Sequence, residues 1–77
     1  MIVHASIAKL YKHLWDTEFS RVMRHIEGAQ EEGLTHFELE VDRLDHDMRL
    51  DLIDALEIAG YLVTFDTDRE MFEVGVA

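Results

Sequence analysis

The sequence predicts an α+β fold of αβαββ order, a long N-terminal amphipathic helix and a second helix packed on one face of a three-stranded sheet. Three observations predict it. Apolar residues recur at steps of three and four through the first third of the chain and again over 45–59. Three other segments, 35–41, 61–66 and 70–76, alternate apolar with polar residues, and Gly33 and Gly60 stand where the two helical patterns stop. No linker, repeat or low-complexity tract interrupts the 77 residues, so residues 1–77 are read as one domain.

The first helix is read over 3–32, where Ile7, Tyr11, Leu14, Trp15, Phe19, Val22, Ile26 and Ala29 hold one face. Asp16 and Thr17 are both good N-caps and would let a helix restart there. The stripe keeps its phase across them, so one continuous helix is expected. Over 35–41, Phe37, Leu39 and Val41 share one face and His36, Glu38 and Glu40 the other, a half-buried strand. Asp42-Arg43-Leu44 turns the chain. Asp45 then caps a second helix over 45–59, with Asp47 in its first turn complementing the helix dipole and Met48, Leu52, Ala55, Leu56 and Ala59 as its buried stripe. The strands at 61–66 and 70–76 close as a hairpin around Asp66-Thr67-Asp68-Arg69, Val63 and Phe65 matching Phe72, Val74 and Val76. The second helix is the crossover between the first strand and this hairpin.

Length then bears on assembly. A helix of about 28 residues measures about 42 Å at 1.5 Å per residue, whereas a globule of this chain length is about 30 Å across. Such a helix overhangs its domain, leaving Ile7, Leu10, Tyr11, Leu14 and Trp15 partly uncovered. These residues are the expected interface of a homodimer, which would also stabilise a small core. The competing reading breaks the helix near Asp16 and folds it back into a compact monomer.

Seven Lys and Arg against 17 Asp and Glu give a net charge of −10. Holding phosphates needs clustered cations, so direct nucleic-acid binding is not expected. The basic residues Lys9, Lys12, His13, Arg21, Arg24 and His25 fall on the polar side of the first helix, where they solvate it. With no cysteine and no apolar run long enough for a membrane span, a reducing, cytoplasmic setting without a membrane is expected.

The chain offers little for catalysis. Its serines, Ser6 and Ser20, lie in the first helix with no activating motif, and its four glycines are isolated, so no phosphate loop exists. Capping and dipole complementation explain the Asp42 to Asp47 cluster without a metal, and a polar turn explains Asp66-Thr67-Asp68. The histidines His4, His13, His25, His36 and His46 are scattered and read as surface residues. Neither an enzyme nor a cofactor is expected.

The outward face of the second helix carries more information. With Asp45 as the origin and about 100° per residue, Glu57, Leu50, Asp54, Asp47, Ile58 and Asp51 fall between about 120° and 240°, opposite the buried stripe. Carboxylates three and four residues apart stand about 5–6 Å from each other, near the phosphate spacing of a nucleic-acid strand. Glu38, Glu40, Glu70 and Glu73 extend the negative field. An acidic face that only solubilises has no need of exposed aliphatics such as Leu50 and Ile58.

Gly33 followed by Phe37-Glu38-Leu39, then Leu52 and Leu56, Gly60-Tyr61-Leu62-Val63 and Phe72-Glu73-Val74 resembles small acidic tailed-phage proteins of helix, strand, helix and hairpin order. The resemblance spans residues 33–76. Several such proteins inhibit host defence, among them anti-restriction and anti-CRISPR proteins that imitate DNA. The resemblance implies a non-enzymatic, phage-encoded inhibitor acting in the host cytoplasm. Its partner would be a host protein with a basic surface, met by Asp47, Asp51, Asp54 and Glu57 with Leu50 and Ile58 as anchors. The alternative is a small homodimeric structural or regulatory module working through its first helix. A winged-helix DNA binder has the right outline but the wrong charge on its second helix.

Overall fold

The computed structural model describes residues 10–76, and the fold is the expected αβαββ arrangement. Helix α1 runs Thr17–Glu31, strand β1 His36–Glu40, helix α2 His46–Ile58, strand β2 Tyr61–Asp66 and strand β3 Met71–Val76. The continuous first helix is not what forms. Asp16 leaves the helical region at φ −84° and ψ 124°, and its Oδ1 accepts the Phe19 N–H at 3.0 Å, capping a helix that starts at Thr17. Before it, Leu10 and Tyr11 are helical and residues 12–16 turn the chain, with His13 N–H bonded to the Leu10 carbonyl and Asp16 N–H to that of His13. Ser20 Oγ donates to the Leu14 carbonyl, one of the acceptors the break leaves unpaired. At 15 residues α1 is about 22 Å long, inside a longest extent of 33 Å, so among the described residues no helix overhangs the domain. Residues 3–9 of the expected helix lie outside the described residues.

Both helices stop on left-handed glycines. Gly33, at φ 70°, donates to the Gln30 carbonyl and Leu34 N–H reaches back to Ala29, a Schellman closure of α1. Gly60, at φ 99°, ends α2 with its N–H on the Glu57 carbonyl. Asp45 caps α2 as expected, its Oδ1 accepting the Met48 N–H at 2.8 Å.

The strands lie in the order β1-β3-β2, both pairings antiparallel. Strands β1 and β2 therefore point the same way with β3 inserted between them, and the α2 crossover spans that gap. In register, Phe37, Val74 and Val63 stand in one row and Leu39, Phe72 and Phe65 in the next, all on the face the helices cover. Phe19, Val22, Ile26 and Ala29 of α1 and Met48, Leu52 and Leu56 of α2 close over them in a single core. The opposite face, with His36, Glu38, Glu40, Leu62, Thr64 and Glu73, is open.

Candidate functional site

The outward face of α2 is where the sequence places a partner surface, and the structure divides its residues. Asp47 and Glu57 are exposed and form no ion pair within the described residues. Leu50 and Ile58 lie among them at 50% and 55% exposure, too open to serve the core. Asp54 is half-buried and takes part in an interaction of its own. Asp51 has a structural partner: His13 Nε2 lies 2.8 Å from its Oδ2 and Lys12 Nζ 3.2 Å from the same oxygen. The His13 hydrogen bond, aided by the Lys12 ammonium, holds the Asp51 carboxyl below the usual carboxylate range against the opposing effect of burial.

Arg49 is the only Lys or Arg in α2, and it is turned away from the acids. Its Nε donates to the Val41 carbonyl at 2.9 Å, and its guanidinium sits 5.5 Å from the centroid of the Phe65 ring. The outer side of the helix is thus left with carboxylates and aliphatics. On the sheet, by contrast, Arg69 gathers three of the acids: it pairs with Glu38, with Asp66 at 2.9 Å and with Glu73 at 3.4 Å. The negative field that the sequence spread over both faces is therefore partly neutralised on the sheet.

The residues expected to join two copies through the first helix are separated by the break at 12–16. Leu10, at 4% exposure, belongs to the domain's own core and is not an interface residue of an overhang. Tyr11, Leu14 and Trp15 are exposed, Trp15 to 78%, and Ile7 lies outside the described residues. His13, read as a surface residue, is buried, its ring 5.0 Å from that of Phe19. Lys12, read as merely solvating, holds Asp51.

Some exposed apolar residues escaped the sequence reading. Leu62 and Phe65, on opposite faces of β2, and Val76, at the end of β3, are exposed. The signal was present in Tyr61-Leu62-Val63-Thr64-Phe65, where apolar residues occupy both alternating faces and one of them must meet solvent. Among the described residues no group of three His, Asp or Glu is placed to hold a metal ion, and no helix is long and apolar enough to cross a membrane.

Set against family models, curated proteins and solved structures, the chain matches none of them.

Proposed function

We propose that this protein is a non-enzymatic acidic interaction domain, an inhibitor that covers a basic, nucleic-acid-binding surface of a partner protein with the outer side of α2. The observation that carries the reading is the exposure of Leu50 and Ile58 beside the unpaired carboxylates Asp47 and Glu57, on a helix whose one Arg is turned inward. A strong field gives fast encounter, and a few apolar anchors give residence. The acidic stretch of the partner's natural ligand would be a phosphate backbone, whose charge spacing the carboxylates along one helix face approach. The Asp51 carboxylate supports the helix from within and contributes less to the partner than the sequence alone implies.

The reading is tested by capturing partners from cells of the native source over a salt series. Retention should fade with rising salt and be lost in both D47K/E57K and L50A/I58A. Capture that is indifferent to salt and to both variants contradicts it. A second reading, a module that works through Tyr11, Leu14 and Trp15, is favoured by the 78% exposure of Trp15. It predicts that Y11A/W15A removes binding while D47K/E57K leaves it intact.

A further inference from the structure

Strand β2 is a sheet edge of unusual chemistry. In the order β1-β3-β2 it has one neighbour, and no other described strand pairs along its outer side. The register tells which of its backbone groups are unused. Val76 N–H donates to the Thr35 carbonyl and the Glu70 carbonyl accepts from Val41 N–H, so the even-numbered residues of β3 are turned to β1 and the odd ones to β2. Gly75, Glu73 and Met71 face Leu62, Thr64 and Asp66, which therefore exchange the bonds within the hairpin. Tyr61, Val63 and Phe65 are left with N–H and C=O groups pointing outward from the sheet.

Edges of this kind are normally blunted by charge, proline or a bulge. Strand β1 follows that rule, since Glu38 and Glu40 stand on it. Strand β2 does not: from Tyr61 to Phe65 it holds no charged residue, no proline and no glycine. In a chain of net charge −10, it is a stretch along which two copies approach without opposing carboxylates. We infer that β2 pairs with β2 of a second copy of this chain, antiparallel about a two-fold axis at Val63, joining two three-stranded sheets into one of six strands.

The sequence fits that register on itself. Outward-facing groups must meet outward-facing groups, which sets Val63 opposite Val63 and Tyr61 opposite Phe65 of the partner copy, each pair exchanging both of its bonds. Aromatic and β-branched pairs are the favourable cross-strand combinations. Leu62, exposed to 62%, falls opposite Thr64 on the open face, and Asp66 falls opposite Gly60, so no acid meets an acid. A shift of two residues loses a pair of bonds. Because paired residues share a face, both copies of α2 lie on the same side of the joined sheet. This interface stands independently of the role proposed for α2.

Sedimentation equilibrium from micromolar to about 100 µM tests it. The wild-type chain is expected to be a dimer at the upper end. Two double variants with the same T64K change then decide the register, and both alter only the open face. In L62K/T64K, lysines oppose lysines across the axis, whereas in L62E/T64K opposite charges meet. The second should dimerise at least about tenfold more tightly than the first, although the first carries the smaller net charge. A wild-type chain that stays monomeric, or equal constants for the two variants, overturns the inference.

Discussion

His13 Nε2 and Asp51 Oδ2 meet at 2.8 Å across 38 positions of sequence. The contact fastens the coil before α1 to the middle of α2, and the ring of His13 is at the same time packed on Phe19. This tether and the Asp16 cap act together: one draws residues 10–13 across the helices, and the other lets α1 begin afresh at Thr17.

Removing the acceptor should loosen the whole arrangement. D51A leaves a buried imidazole without its partner and should lower the unfolding free energy by about 1–2 kcal/mol, read from urea denaturation at neutral pH. The cost should depend on pH. The folded Asp51 carboxyl titrates below its unfolded value of about 3.9, so its contribution is fully present above that value and lost as pH falls through the lower, folded one. The difference in stability between wild type and D51A should therefore narrow below about pH 4. A difference that stays constant from neutral pH into that acid window removes the ionised tether from the explanation.

The core leaves little reserve. Phe19 is fully buried, and Phe→Ala in such a site costs about 3–5 kcal/mol, as much as a domain of this size usually has in total. F19A should be unfolded by circular dichroism at 25 °C. A folded F19A would mean that the contacts of α1 contribute less than its burial implies.

Glu70 closes the hairpin turn at φ 51°, a left-handed conformation that a side chain resists. E70G should relieve it and raise stability by about 1 kcal/mol, visible as a higher melting temperature. A lower one would show that the Glu70 side chain has a stabilising contact that outweighs the strain.

Sequence periodicity was sufficient for the order and bounds of the strands and of α2, where alternation and the Asp45 and Gly60 boundaries agree with the structure, but Ala59, Phe65 and Val76, read on apolar inner faces, are exposed at the ends and edge of these elements. It misjudged the first helix for a physical reason. The apolar stripe keeps its phase through Leu14 and Trp15, but phase reports only which side residues would share if the helix continued. It contains no information on whether the Asp16 carboxylate caps Phe19 or whether His13 finds Asp51, a contact between distant segments. The same limit applies to the candidate surface. The angular position of Asp51 placed it on the outer side of α2, and only the tertiary contact with Lys12 and His13 separates it from Asp47 and Glu57.

Exposed apolar side chains that serve a partner should be dispensable for folding. L50A, I58A and W15A should each change stability by no more than about 0.5 kcal/mol, measured by urea denaturation. A loss well above that would place the residue in the fold and take it out of any interaction surface.

The proposal for α2 is tested most directly by competition. A partner retained by the immobilised wild-type protein at low salt should be released by added duplex DNA, because both ligands occupy one basic surface, and should not be retained by D47K/E57K at all. A partner that ignores the DNA and binds D47K/E57K as it binds wild type would contradict the assignment of the acidic face of α2 as the working surface.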